Sequence, residues 1–405
     1  MISHGTKTPS VAIACGGTGG HLFPGLAVAA ELKQRGCAVS LLVSPKQVDQ
    51  EAVKSARELA VFTLPAVALQ NRNYIAFGIS FVRSLFAARK LFVRRRPDAV
   101  LAMGGFTAAP PIFAAKDMSG KTFLHESNTI PGRANRFLAR FVDEAFVGFP
   151  DAAGRLRAKK VSVTGTPVRP EFQRGEAAVE EARAGGRPIG DFKCRVALGL
   201  DPNRPTVLVV GGSQGASGLN ELVLAALPSL AQKGWQWLHL TGGKDFEKVQ
   251  GAYAALAVKA VVKPFLAEMD VALGAATTAV SRAGASSLAE LAAMRLPAVL
   301  VPYPVAADNH QFHNARAFEA TRAARLLEQK GARPETLASL LCELMEDEQS
   351  RATVKSALGQ WHAPHAAEQI AENILAAITR RGEGVALYGE DSDCGCGHRH
   401  AKHAH

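Results

Sequence analysis

Short apolar, β-branched runs alternate with longer helix-like stretches twice along this 405-residue chain, and both series open on the same pattern. The first runs Val11–Cys15, then Gly16-Gly17-Thr18-Gly19-Gly20, then a helical pattern over Pro24–Gln34. The second runs Thr206–Val210, then Gly211-Gly212-Ser213-Gln214-Gly215, then a helix from about Ala216. Apolar runs without polar alternation fit parallel strands covered on both faces. Val39–Val43, Ala99–Met103, Ala145–Val147 and Val161–Val163 continue the first series. Trp237–Leu240, Ala260–Val262 and Ala298–Val301 continue the second. This alternation predicts an α/β chain of two Rossmann-like, doubly wound parallel-sheet domains facing across a cleft. The expected divisions are a first domain over 1–170, a Gly-, Arg- and Glu-rich linker or insertion over 171–204, and a second domain over 205–360. A helix over 361–380 and a disordered tail over 381–405 complete the chain.

Charge narrows the partners without choosing one. Lys and Arg outnumber Asp and Glu 47 to 36, so an anionic partner suits the chain. Nucleic acid is disfavoured, because no basic motif carries interleaved aromatics and aromatic residues make up only 6%. No apolar stretch approaches the roughly 18 residues of a membrane span. The first apolar run ends in glycines, not at a cleavage site, so it reads as a strand. Six scattered cysteines do not make a disulfide framework, and a reduced, cytoplasmic compartment is expected.

Each glycine loop permits a tight turn and lets backbone N–H groups approach a phosphate at the start of the next helix. Neither is GxGxxG or GxxxxGK[ST], so taken alone each fits a plain strand–helix turn equally well. Further motifs add to the two loops. Gly16–His21 with Phe23-Pro24-Gly25-Leu26-Ala27, His125-Glu126-Ser127-Asn128 and Gly165-Thr166-Pro167-Val168-Arg169 follow one another in the first half. Gly211–Ala216, Arg282-Ala283-Gly284-Ala285 with Glu290, and Asp308–Gln311 with Asn314-Ala315 follow in the second. In that order they resemble the MurG family of family 28 glycosyltransferases, which add N-acetylglucosamine to lipid I to form lipid II in peptidoglycan synthesis.

The resemblance implies a GT-B fold, with UDP-N-acetylglucosamine held mainly by the second domain and acceptor by the first. Positions matching the family's donor site are Thr18, Gly19, Gly20, Asn128, Arg169, Ser213, Gln214, Leu266, Ala285, Ser286, Ser287, Leu288, Ala289, Glu290 and Gln311. Ser286 and Ser287 would open a helix whose free N–H groups receive the diphosphate. Glu290 would accept hydrogen bonds from both ribose hydroxyls, Gln311 would read sugar hydroxyls, and Leu266 would lie beside the uracil. Ser287 and Glu290 equally form an S-x-x-E capping box. An inverting enzyme needs a base and a stabilised leaving group, not a covalent nucleophile. His21 suits the base by position and intrinsic pKa, although a ring that fixes the glycine loop is an equal reading. Glu126 is an acceptor-side candidate. No organic cofactor or resident metal is implied, with room left for a loosely bound divalent cation.

Between Leu59 and Pro97 there is no Asp or Glu. Ile75, Ile79 and Phe86 lie there with Arg83, Arg89, Lys90, Arg94, Arg95 and Arg96, a composition suited to docking on an anionic membrane face. An ordinary core helix with a basic end is the plainer reading. The resemblance places the protein peripherally on the cytoplasmic face of the inner membrane. Two other functions fit the fold: a different glycolipid glycosyltransferase using a UDP-sugar, and a UDP-N-acetylglucosamine 2-epimerase. Departures from the family pattern are Phe106 and Ala109 after Gly104-Gly105, Ser127, Arg295 before Leu-Pro, and Asn309 and His310 beside Gln311. Cys394, Cys396, His398, His400, His403 and His405 give the tail metal-binding chemistry but no pre-formed tetrahedral geometry, so incidental affinity is the expectation.

Overall fold

The structure, a computed structural model, describes residues 8–15, 19–45, 59–65, 74–172, 192–212 and 215–387. Two all-parallel sheets organise it. The first comprises β1 (Ser10–Ala14), β2 (Ala38–Val43), β3 (Ala60–Thr63), β4 (Ala99–Ala102), β5 (Lys121–Glu126), β6 (Glu144–Val147) and β7 (Val161–Val163), in the order β3-β2-β1-β4-β5-β6-β7. The second comprises β8 (Thr206–Val210), β9 (Gln236–Leu240), β10 (Ala260–Lys263), β11 (Thr278–Ser281), β12 (Ala298–Leu300) and β13 (Arg325–Leu326), in the order β10-β9-β8-β11-β12-β13. Both orders reverse direction beside their first strand. That reversal opens a crevice at the carboxyl ends of β1 and β4, and another at those of β8 and β11.

The apolar runs are continuous because both faces of each sheet are covered. Val11, Ile13, Leu41, Val43 and Leu101 enter one core cluster, while Ala12, Ala14, Leu42, Val100 and Ala102 enter the cluster on the opposite face. The period of two thus distributes one strand between two cores.

The connecting helices of the first lobe are α1 (Gly19–Gln34), α2 (Tyr74–Arg94), α3 (Ala109–Asp117), α4 (Arg133–Leu138) and α5 (Pro150–Ala153). Those of the second are α6 (Phe192–Ala197), α7 (Ser217–Leu230), α8 (Phe246–Ala255), α9 (Met269–Ala275), α10 (Ala285–Ala293), α11 (His310–Ala320), α12 (Pro334–Glu346) and α13 (Glu348–Leu358). The last helix, α14 (Ala366–Leu387), returns to the first lobe and inserts Ile370, Ala371 and Ile374 into its core. Arg35 of α1 meets Glu368 and Glu372 of α14 at 3.1 and 3.3 Å.

Two stretches differ from expectation. The 171–204 connection is partly core: Leu198 and Leu200 join the second lobe, and buried Arg195 donates to the Ala275 and Pro202 carbonyls, both at 2.9 Å. Residues 173–191 of that connection lie outside the described residues. Helix α14 runs to Leu387, into the stretch expected to be a tail, while the Cys/His-rich residues beyond it lie outside the described residues.

Candidate functional site

In the first lobe, His21 stands in the opening turn of α1, and its imidazole occupies the space over Gly104 at the end of β4. A Cβ on Gly104 would lie 2.6 Å from His21 Cε1 and 2.8 Å from Nδ1. The glycine's φ of +128° also suits no other residue. Gly104 is therefore the seat of the His21 ring. His125, fully buried on β5, is a structural histidine: its Nε2 pairs with the Gly165 carbonyl at 3.1 Å and its Nδ1 with Ser127 Oγ at 3.2 Å. Burial lowers its pKa to about 4, against opposing effects of the Gly165 carbonyl and Glu126, so it stays neutral.

Glu126 is committed to the loop that follows it. One carboxylate oxygen accepts from Asn128 N at 2.8 Å and Asn128 Nδ2 at 3.1 Å; the other accepts from Gly132 N at 2.9 Å and Asn135 Nδ2 at 2.8 Å. Asn135, which composition and motif gave no reason to single out, completes this cradle.

In the second lobe the crevice is formed by the start of α10. Its N-cap is Gly284, with no side-chain cap, and the first intrahelical bond runs from Leu288 N to Gly284 O at 3.0 Å. The S-x-x-E capping reading is thereby corrected. Ser287 sits inside the first turn, three residues past the cap, and Glu290 follows a turn later. The N–H groups of Ala285, Ser286 and Ser287 precede any intrahelical acceptor and carry the positive end of the helix dipole. Leu288 is in the core, and Ala289 packs against it.

Gln311 uses its carboxamide oxygen to accept from Ala283 N at 3.3 Å and Tyr303 N at 3.0 Å, so its NH2 is the end left for a ligand. Arg282 fixes the same turn by donating to the Val301 and Pro302 carbonyls at 2.9 and 3.1 Å. Leu266 is only 8% exposed and belongs to the core, whereas the neighbouring Phe265 ring is 61% exposed.

Several contacts join the crevices. Proline at position 24 of α1 has no N–H to give the Gly20 carbonyl one turn earlier. That carbonyl accepts instead from Ser286 Oγ of the opposite lobe at 2.9 Å. Asn314 of α11, fully buried, accepts from Thr129 N and Oγ1, both at 2.9 Å, and donates to Asn128 Oδ1 at 3.0 Å and Ala283 O at 3.2 Å. Asp308 accepts from Arg133 at 3.1 Å and Arg136 at 2.9 Å.

Arg169 lies in the same cleft, its guanidinium 4.6 Å from the Phe23 ring centroid and 5.1 Å from that of Phe172. It faces Glu171 at 3.3 Å. Burial pushes the Glu290 carboxyl up to about 7, with Arg169 opposing and Glu171 reinforcing the shift. Of the expected donor-side residues, Gly20, Arg169, Ser286 and Glu290 converge here. Thr18, Ser213 and Gln214 lie outside the described residues, and Gly19 opens α1.

On the outer side of the first lobe, Ile75, Ile79, Val82, Phe86 and Val93 are all exposed on α2. At 3.6 residues per turn these five fall within about 60° of one another. Arg83, Lys90 and Arg94 flank the stripe and are exposed. Arg89 pairs with Asp117, Arg96 donates to the Met118 carbonyl, and Arg95 lies 5.4 Å from the Phe62 ring centroid. Among the described residues, no helix is long and apolar enough to cross a membrane.

Comparison with known proteins agrees with this geometry. Residues 11–147 match the glycosyltransferase family 28 N-terminal domain, and residues 206–373 match its C-terminal domain. A relative from Anaeromyxobacter sp. (strain Fw109-5) is 34% identical over 376 residues, 91% of this chain and 93% of its own. It is named UDP-N-acetylglucosamine–N-acetylmuramyl-(pentapeptide) pyrophosphoryl-undecaprenol N-acetylglucosamine transferase. The crystal structure of Acinetobacter baumannii MurG is 27% identical, with a TM-score of 0.68 over 91% of this chain and all of that one. A UDP-GlcNAc 2-epimerase from Neisseria meningitidis, solved bound to UDP-GlcNAc, is 13% identical with a TM-score of 0.66 over 91% of this chain and 100% of its own. That last likeness shows the GT-B fold alone, and the choice between transferase and epimerase rests on the first two. The chain belongs to glycosyltransferase family 28, among the MurG N-acetylglucosaminyltransferases.

Proposed function

We propose that the chain transfers N-acetylglucosamine from UDP-N-acetylglucosamine, with inversion, to the 4-hydroxyl of the N-acetylmuramyl unit of lipid I, giving lipid II. The observation that carries the reading is the convergence, in one cleft, of the uncapped start of α10, Arg169, Glu290 and the His21 ring seated on Gly104. In the displacement the acceptor oxygen bonds to the anomeric carbon as the bond to the β-phosphate oxygen breaks. The hydroxyl proton goes to His21, and the charge growing on UDP is met by Arg169 and the α10 N–H groups. Glu290 receives the ribose hydroxyls, and Gln311 donates to the sugar. Glu126 acts through the loop it holds and positions Asn128 without touching substrate. No organic cofactor enters the scheme, and a divalent cation has a place only as a companion of the diphosphate.

Lipid I is membrane-borne, and the α2 stripe with Arg83, Lys90 and Arg94 is the surface that reaches it on the anionic cytoplasmic face. The decisive experiment supplies radiolabelled UDP-N-acetylglucosamine and a short-chain lipid I analogue. Label should pass to the analogue, and the Glu290→Ala variant should lose the transfer. Donor turnover without acceptor would instead indicate epimerase chemistry. For the membrane arm, Phe86→Ser with Arg83→Gln and Arg94→Gln should lower sedimentation with phosphatidylglycerol vesicles; unchanged sedimentation would remove α2 as the docking surface.

A further inference from the structure

The Arg169 guanidinium is already partnered in the free protein. Its guanidinium carbon lies over the Phe23 and Phe172 rings, and Glu171 approaches one of its terminal nitrogens at 3.3 Å. Its Nε is buried and has no hydrogen-bond partner among the described residues. Glu171 is 39% exposed, so its carboxylate can swing into water without unfolding anything. Glu290, the other carboxyl near this arginine, belongs to the opposite lobe and is only about half ionised at neutral pH, whereas Glu171 makes the 3.3 Å ion pair. Ser286 repeats the arrangement: its hydroxyl is given to the Gly20 carbonyl. Two groups suited to a diphosphate are thus satisfied internally, each by an oxygen of the first lobe or of the segment leaving it.

We propose that Glu171 is the resident counter-ion of Arg169, holding the guanidinium in the cleft until a nucleoside diphosphate displaces it. Two anions cannot share one guanidinium edge without repulsion, so binding is an exchange of carboxylate for phosphate. Glu171 then weakens the grip on both donor and product UDP, and its return helps expel the product. This rests on the reading of Arg169 as a phosphate ligand given above.

The test is calorimetric titration of the full chain with UDP and, separately, uridine. At a pH well above 7, where Glu290 is ionised with or without Glu171, Glu171→Gln should tighten UDP about 1.5- to 5-fold, the range an exposed ion pair supports, and leave uridine unchanged. In an Arg169→Ala background, itself weaker for UDP, the Glu171→Gln gain should vanish. Should Arg169→Ala melt early, Arg169→Lys serves as the second background, with a reduced gain. If Arg169→Ala binds UDP as well as wild type, the phosphate-ligand reading fails. If Arg169→Ala weakens UDP but Glu171→Gln fails to tighten it, or tightens it equally in both backgrounds, the counter-ion assignment alone is overturned.

Discussion

Glu290 illustrates how one burial decision sets a pH response. Its carboxyl is lifted to about 7 chiefly by burial, with Arg169 lowering it and Glu171 raising it. Only the ionised form accepts from both ribose hydroxyls, so donor affinity should rise about tenfold at most between pH 6 and 8. Titration with UDP-N-acetylglucosamine, whose phosphates do not titrate there, should show this rise; Glu290→Gln should be weaker and flat. The same shift acts on folding with a defined sign. A carboxyl whose folded pKa lies above the ordinary 4.5 contributes stability below that value and loses it as pH climbs through 7. Glu290→Gln should therefore melt above wild type at pH 8, with the gap closing by pH 5. Gly104 gives a second case. Any side chain there displaces the His21 ring, so Gly104→Ala should lower kcat at least tenfold while leaving donor affinity near wild type. An unaltered kcat would separate His21 from the chemistry.

Among the elements, α14 shows how a terminal helix becomes part of a distant core. Ile370 and Ile374 are fully buried in the first lobe. Ile374→Ala should cost about 2–5 kcal/mol, read as a lowered midpoint in urea unfolding. Much of this architecture was legible, because strands covered on both faces leave uninterrupted apolar runs such as Val11–Cys15 and Thr206–Val210. The strands not singled out had weaker marks. β5 ends in His125 and Glu126, whose burial is made tolerable by hydrogen bonds no sequence displays. β13 is two residues long. Helix α1 begins at Gly19, ahead of Pro24, because the missing proline N–H falls opposite a carbonyl that the other lobe satisfies. At the site, motif order located α10 and Arg169, but Asn135 and Glu171 lie just outside the motifs whose residues they partner, and nothing in their own positions marks them. Arg295 was legible in reverse: where the family usually has glycine, it adopts a φ of +50°.

The two lobes are joined by an apolar junction, where Phe149 and Val168 enter the second lobe's core, by the return of α14 and by polar contacts, among which that of Asn314 is fully buried. Its carboxamide satisfies Thr129 twice, Asn128 once and Ala283 once, so both lobes share one buried amide. The exposed pairs between Asp308 and Arg133 or Arg136 are each worth only about 0.2–1 kcal/mol. A buried polar group left without its partner costs about 1–3 kcal/mol. Asn314→Ala strands the Thr129 N–H and the Asn128 carboxamide together, whereas Asp308→Asn leaves solvated arginines behind. Asn314→Ala should thus favour the separated lobes, increasing the radius of gyration in solution scattering and raising KM for the donor through a misplaced Asn128. Asp308→Asn should move both quantities far less. Equal effects from the two variants would mean that closure is governed by surface charge and not by the buried amide.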